Sequence, residues 1–88
     1  MDEYKSLVKR VLSKQAVDIR RKLGWNQEKM AESLFITPRA YGDLERGKYF
    51  FSAPTLMSLI RLMDEQELLE FQRSFCEEVR NIKEEQKN

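Results

Sequence analysis

Apolar residues recur every three or four positions along most of this chain, which is the spacing of one face of an α-helix. The first such stripe contains Tyr4, Val8, Val11/Leu12, Ala16, Ile19 and Leu23. It predicts one long helix, or two helices divided near Ser13, with Gly24 as the C-terminal cap. No segment sustains the two-residue alternation of a half-buried strand, so the pattern indicates an all-α fold.

Two shorter helices are predicted next, each with its own start signal. Asn26 can cap a helix over residues 27–34. Thr37 can cap a second helix that Gly47 ends, with Pro38 at the first position, where a missing N–H is harmless. The inward-facing residues are Met30, Ala31 and Leu34 on one helix and Ala40, Tyr41 and Leu44 on the other.

Two further helices complete the prediction. One follows Ser52, with Pro54 in its first turn, and turns Leu56, Leu59, Ile60 and Met63 inward. The last begins near Asp64 and runs to about Gln86. Its apolar stripe consists of Leu68, Phe71, Phe75, Val79 and Ile82. The chain is therefore expected to form about five helices joined by short turns.

The two short helices are separated by only three residues, 35–37, which matches the spacing of a helix-turn-helix. The small side chain of Ala31 would let these helices cross closely. Opposite the buried face, the second helix carries Arg39, Gly42, Asp43 and Arg46. This is the face that would meet the major groove of DNA in a recognition helix.

Gly42 lies in the middle of that face, although glycine costs about 1 kcal/mol relative to alanine inside a helix. Two interpretations stay open: the missing side chain lets the helix approach DNA closely, or the glycine is tolerated at the surface. Two interpretations also stay open for Arg46 and Lys48: they contact phosphates, or they are ordinary solvated charges.

Length and composition narrow the class of protein. Eighty-eight residues make one domain with a single modest core, and 35% charged residues with 41% hydrophobic ones are typical of a globular chain. No apolar run approaches the roughly 18 residues of a membrane span, and the N-terminus lacks a signal-peptide pattern. The sole cysteine, Cys76, is expected to be a small core residue of a cytoplasmic protein.

Charge is distributed unevenly. Residues 1–50 carry 11 basic and 7 acidic residues, a net charge of +4, whereas residues 51–88 carry 5 basic and 8 acidic ones, a net charge of −3. This asymmetry favours a polyanion as partner of the first half, with ordinary scatter of surface charge as the alternative.

The segments "IRRKLGWNQEKMAESL", "TPRAYGDLERGK" and "SAPTLMSLIRLM" together resemble the phage-repressor/Cro-type, or xenobiotic-response-element-type, helix-turn-helix regulators. The resemblance covers about residues 16–63, leaving 64–86 as an additional helix of a single domain over 1–88. It implies a compact five-helix, lambda-repressor-like domain that binds double-stranded DNA as a dimer on a near-palindromic operator. It also implies a bacterial or phage protein associated with the nucleoid, and no cofactor.

The resemblance implies roles for particular residues as well. Asn26 and Gln27 would bind phosphate, and Arg46 and Lys48 would do the same. Thr37 and Gly42 would also belong to the DNA-binding surface. Pro38, Arg39 and Asp43 would face the bases, and Arg39 is the best reader because its guanidinium can contact both O6 and N7 of guanine. Asp43 could accept from cytosine, repel phosphate or orient Arg39. Arg20 and Glu45 would form a partly buried structural ion pair.

Phe35 departs from the family, which commonly has glycine at this turn position. If the site requires a positive φ, phenylalanine costs on the order of 1 kcal/mol, and otherwise the turn has another geometry. Phe50 and Phe51 are expected in the core, with Tyr49 reaching a phosphate and Trp25 in the core.

An enzyme is not indicated, since the chain has no histidine, no glycine-rich phosphate loop and no metal-ligand spacing. The alternative function is a protein-binding helix-turn-helix module, an antitoxin or adaptor. The last helix is predicted to hold a homodimer through Phe71, Phe75, Val79 and Ile82, or else to fold back on the first helix.

Overall fold

Five helices follow one another along the chain: α1 (Asp2–Leu23), α2 (Gln27–Ser33), α3 (Pro38–Glu45), α4 (Ala53–Arg61) and α5 (Glu65–Lys87). They are the elements of a computed structural model that describes residues 2–87. Over these residues there is no strand, which confirms the expected all-α class. No helix within the same range is long and apolar enough to span a membrane.

Capping side chains begin three of the helices, and two of these residues, Asn26 and Thr37, were predicted as caps from the sequence. Each accepts a hydrogen bond from a backbone N–H in the first turn: Asn26 from Lys29 at 2.8 Å, Thr37 from Ala40 at 3.1 Å and Ser52 from Thr55 at 3.3 Å. Gly24 and Gly47 follow α1 and α3 with φ of 71° each, so both act as the expected left-handed stops. Local capping chemistry therefore explains where the short helices begin and end.

α1 is one continuous helix, which excludes a division at Ser13. The Ser13 hydroxyl is buried and donates a hydrogen bond of 2.6 Å to the carbonyl oxygen of Leu44. This carbonyl lies in the last turn of α3 and also accepts a hydrogen bond of 3.0 Å from the N–H of Gly47, just beyond the helix. Ser13 therefore joins α1 to the end of α3.

The hydrophobic core lies where α1, α2 and α3 meet, with α4 closing one side. Its buried members are Leu12, Ala16, Ile19, Met30, Ala31, Leu34, Tyr41, Leu44, Phe51 and Leu59. Each was expected to face inward, and Trp25 packs against the cluster as a partly buried residue. The helical spacing in the sequence thus identified this core.

α5 folds back along α1. At its start, Lys22 of α1 lies 3.1 Å from Glu67 and 3.7 Å from Asp64, joining the end of α1 to the beginning of α5. Further along, the ring of Phe75 packs edge-on against Tyr4 with centroids 6.2 Å apart. Two long helices thus lie side by side, which gives the molecule its longest dimension of 44 Å.

This arrangement changes the prediction for the apolar stripe of α5. The side chains of Phe71, Phe75, Val79 and Ile82 are half-buried within the single chain, so they are not a fully exposed surface left over from folding. These side chains face the first part of α1. Leu7 of α1 is 2% exposed there, although it lies outside the apolar stripe predicted for α1. Fold-back on α1, the stated alternative, is what the structure contains.

Two other expectations about burial are wrong. Phe50 is 48% exposed, because the chain between α3 and α4 is short and only the neighbouring Phe51 reaches the core. Cys76 is exposed, since it lies on the side of α5 away from α1.

Phe35 adopts a φ of 62°, so the turn between α2 and α3 does require the left-handed conformation that glycine favours. Its ring is 80% exposed and lies with its centre 5.8 Å from the guanidinium of Arg61. Arg61 also donates a hydrogen bond of 2.7 Å to the carbonyl oxygen of Ser33. The side chain of Phe35 therefore gains little burial in return for a backbone cost of about 1 kcal/mol.

Candidate nucleic-acid interface

α3 is held at a defined angle to α2 by a short turn and a buried face. The N–H of Ile36 donates to the carbonyl oxygen of Ala31 at 3.0 Å, which ties the turn to the last part of α2. Ala31 is fully buried, as the close crossing of the two helices requires. Tyr41 and Leu44 turn inward from α3, leaving the other side of that helix at the surface.

Glu45, the last residue of α3, joins three elements through its carboxylate. Arg20 of α1 donates from Nε to Oε2 at 2.6 Å, which confirms the expected ion pair. Tyr41 donates its hydroxyl to Oε2 at 2.5 Å, and Gln27 of α2 donates from Nε2 to Oε1 at 3.0 Å. Arg20 also donates to the carbonyl oxygen of Trp25 at 3.1 Å. α3 is thus locked to α1 and to the start of α2.

The electrostatics of this network favour an ionised Glu45. Burial by itself would raise the pKa of the carboxyl, but hydrogen bonds from Arg20, Tyr41 and Gln27 outweigh it and hold the pKa below its usual value. Burial, with the hydrogen bond to Glu45, raises the pKa of the Tyr41 hydroxyl. The tyrosine therefore keeps its proton and serves as a donor at neutral pH.

The exposed end of α3 carries the residues that were expected to read bases. Pro38 and Arg39 are exposed in the first turn, and Thr37 just before them uses its hydroxyl to cap Ala40. Among the contacts of residues 2–87, no ion pair or side-chain hydrogen bond engages the guanidinium of Arg39. A bidentate donor thus stands at the N-terminal end of the helix, where base edges would lie.

Asp43 and Arg46 pair with each other one turn apart on α3. This pair removes one of the three roles considered for Asp43, because its carboxylate orients Arg46 and not Arg39. The Asp43 side chain is 13% exposed and that of Arg46 is 66% exposed. The arginine therefore covers the aspartate and offers the outer charge to a ligand.

Gly42 is buried, so the expectation that it bares the backbone at the surface is wrong. A Cβ placed there would lie 3.3 Å from Nη1 of Arg46 and 3.8 Å from Oε1 of Gln27. These two long side chains cross over the glycine, and Gln27 thereby reaches Glu45. The missing side chain makes room within the protein.

The remaining candidate residues lie at the start of α2 and just after α3. Asn26 and Gln27 are exposed at the start of α2, although the Asn26 side chain already caps that helix. Lys48 is exposed after α3, with its ammonium 5.4 Å from the centre of the Tyr49 ring. Gln27 contacts Glu45, so the start of α2 lies beside the end of α3, and contact with DNA stays a prediction for each of these residues.

Sequence reasoning missed several polar contacts that hold the site, among them the hydrogen bond from Gln27 to Glu45. Tyr41 was assigned only to the buried face, yet the i, i+4 spacing to Glu45 was a signal that its hydroxyl could donate there. Ser13 carried no such signal, because its partner in α3 is 31 residues away. Within the described part of the chain, no cluster of histidine, cysteine or acidic side chains is arranged to hold a metal ion.

The fold and the site define the class of a DNA-binding helix-turn-helix protein. The family model HTH_3, described as helix-turn-helix, matches residues 18–68, which is more than half of the chain. The chain belongs to this Cro/C1-type family of DNA-binding transcription regulators. No curated protein and no solved structure matches it.

Proposed function

We propose that this DNA-binding regulator recognises a specific double-stranded sequence, a near-palindromic operator, and that two copies bind it together. The observation that carries the proposal is the exposed guanidinium of Arg39 at the start of a rigidly held α3. Rigidity matters because a bidentate contact tolerates only small errors in position, and the Glu45 network supplies it. Arg39 then reads guanine through O6 and N7.

The neighbouring residues supply affinity around this contact. Gln27 and Asn26 present the start of α2 to one phosphate, and Arg46 and Lys48 present cations to others. Thr37 stays engaged as the cap, so its part is to position Pro38, whose ring offers an apolar contact to a thymine methyl. Asp43 keeps Arg46 in place.

Competition binding on operator variants tests this division of roles. Operators are first selected from a random DNA pool with the full chain. Arg39→Ala is expected to relax specificity at one base pair by about 1–3 kcal/mol, because the bidentate contact is lost. Lys48→Ala, the matched control, weakens all sequences about equally. Equal and sequence-blind losses from both variants would refute base reading by Arg39.

The homodimer rests on geometry and on the surface of α5. One recognition helix reads too few bases for selective binding, so two half-sites about one turn apart are required. Leu68 and Leu69 are 39% and 46% exposed on α5, next to the half-buried Phe71, Phe75, Val79 and Ile82. A second copy would cover this apolar edge without opening the contact with α1.

Sedimentation of the wild-type protein at tens of micromolar tests the dimer, with twice the mass of one chain as the expected result. Leu69→Asp should give a folded monomer with weakened operator binding. Val79→Asp should instead unfold the domain, because Val79 is half-buried in the single chain. A wild-type monomer at these concentrations would contradict the proposal.

A protein-binding module remains the second candidate, because the exposed ring of Phe35 is more easily explained by a partner than by folding. Salt dependence separates the two functions. Phosphate contacts release counterions, so DNA binding gives a steep negative slope of log K against log salt. A slope near zero on random duplex DNA would favour the protein partner.

A further inference from the structure

A shallow cleft of about 470 Å³ opens between the first half of α1 and the C-terminal end of α3. Three cationic side chains line it: Lys9 and Arg10 from α1 and Arg46 from the end of α3. Ser6 adds a hydroxyl, and Gly47 leaves the rim without a side chain. Cations around a hydroxyl and an open backbone form a surface suited to an oxyanion.

The acid in the wall of this cleft does not cancel its charge. Glu45 receives hydrogen bonds from Arg20, Tyr41 and Gln27, so its negative charge is already compensated inside the protein. The cleft therefore keeps an excess of positive charge facing solvent.

Two of the three cations already have acidic partners. Arg10 lies 3.5 Å from Glu78 of α5, and Arg46 is paired with Asp43. The guanidinium-bearing side chains are 61% and 66% exposed. The Arg10–Glu78 pair is the more exposed of the two and contributes little in water, so an incoming oxyanion can bind the guanidinium of Arg10 without a large loss.

Lys9 is held at the edge of the cleft by an aromatic ring. Its ammonium lies 4.5 Å from the centre of the Phe50 ring, an arrangement typical of a cation–π contact. Phe50 itself is half-exposed and contributes little to the core. Its position is explained if the ring serves to position Lys9, which makes Phe50 a positioning residue.

We propose that this cleft binds a backbone phosphate of the duplex that α3 reads, so that the protein contacts DNA beyond its helix-turn-helix. The inference rests on the proposed function and adds a second binding site to it. Lys9 and Arg10 precede residues 18–68, so the contact would lie outside the part of the chain that the family model matches. The cleft adjoins Arg46 and Lys48, the proposed phosphate contacts at the C-terminal end of α3. This favours DNA as its ligand over an acidic protein segment.

Salt titration of binding to the selected operator tests the site. Each phosphate contact contributes about 0.9 to the slope of log K against log salt. Lys9→Gln/Arg10→Gln should therefore lower the slope by about one unit per bound copy, and Lys9→Gln alone by up to the same amount, with the preferred sequence unchanged. The control Lys14→Gln/Lys83→Gln removes the same charge from exposed positions outside the cleft and should leave the slope nearly unchanged.

Duplex length and a second variant sharpen the result. On a duplex trimmed to the bases under α3, Lys9→Gln should bind like the wild type, because the flanking phosphate is absent. Phe50→Leu should weaken binding to the long duplex, and this loss should vanish when Lys9 is already glutamine.

Three results would overturn the inference. The first is an unchanged slope in Lys9→Gln/Arg10→Gln, the second an equal decrease in the control, and the third a decrease that persists on the trimmed duplex. If these cations only complement the partial negative charge at the end of α3, the variants lose stability but keep the wild-type slope. The proposed function fails separately, if the wild type binds no duplex or Arg39→Ala keeps full specificity.

Discussion

α3 and α5 both pack against α1, but different contacts hold them. α3 is joined to α1 by a buried serine hydroxyl and by the carboxylate of Glu45, whose side chain is 10% exposed. α5 is joined by half-buried rings and by pairs such as Lys22 with Glu67, in which the lysine is 56% exposed.

The two kinds of contact differ in how strictly they fix the position of a helix. Buried hydrogen bonds have narrow geometry and are costly to leave unmade, so they restrict the angle of α3, as the proposed base reading requires. Aromatic edges and exposed ion pairs tolerate small displacements and are weakened by salt. α3, the proposed recognition helix, is thus attached by buried and partly buried hydrogen bonds, and α5 by contacts that tolerate small displacements.

Removing the central carboxylate should have the largest effect. Glu45→Ala leaves Arg20 partly buried without its partner and is expected to lower the free energy of unfolding by about 3 kcal/mol. Denaturant unfolding measures this. Glu32→Ala, the same change at an exposed position of α2, should stay within about 0.5 kcal/mol of the wild type. Similar losses from both variants would show that the network contributes no special stability.

The same carboxylate predicts a pH dependence. Because the pKa of Glu45 is lower in the folded protein, its contribution is present above about pH 4.3, the pKa of glutamate in an unfolded chain. The contribution is lost as the pH falls through the lower pKa of the folded state. In urea unfolding, the stability advantage of the wild type over Glu45→Gln should therefore shrink below about pH 4. An advantage that stays constant down to pH 3 would contradict this.

Disturbing the contact between α5 and α1 should lower the free energy of unfolding by less than Glu45→Ala does. Phe75→Ala removes a half-buried ring that packs on Tyr4 and Phe71, so we expect a loss of about 2 kcal/mol, below the range for fully buried rings. Hydrogen exchange should show faster opening of α5 and unchanged protection in α2 and α3. Phe35→Ala, at a ring that is 80% exposed, is the matched control and should cost less than about 1 kcal/mol. If Phe75→Ala instead accelerates hydrogen exchange equally in all helices, α3 and α5 are not attached to α1 independently.

The smallest changes in stability are expected at two glycines, one inside α3 and one just after it. Gly42→Ala should raise the free energy of unfolding by up to about 1 kcal/mol, since the methyl group needs only a small shift of the flexible Arg46. Gly47→Ala should lower it by about 1 kcal/mol, because φ is 71° there. Thermal unfolding resolves both, at roughly 4–8 °C per kcal/mol for a chain of this size. A destabilised Gly42→Ala would mean that the path of Gln27 over the helix leaves no room.

Much of the fold could be predicted because its signals are local. Asn26, Thr37 and Ser52 each act on a backbone N–H three residues later, so their effect is visible in the sequence itself. The ion pair of Arg20 with Glu45 was available only through the family resemblance, because the two residues are 25 positions apart.

The errors arose where the surroundings of a residue depend on distant segments. Gly42 was placed at the surface by helical spacing, but Gln27 and Arg46 extend over it. Phe50 and Phe51 have the same local chemistry, and only the path of the chain into α4 decides which one is buried.

By itself the sequence determined the positions of the helices, the left-handed stops and most of the core, because these follow from residue spacing and from contacts within one turn. The tertiary structure alone decided that α1 is unbroken at Ser13, that α5 packs on the first half of α1, and that Lys9 and Arg46 line one cleft. Each of these depends on side chains brought together from distant positions, and an amphipathic helix can satisfy its apolar face against more than one partner.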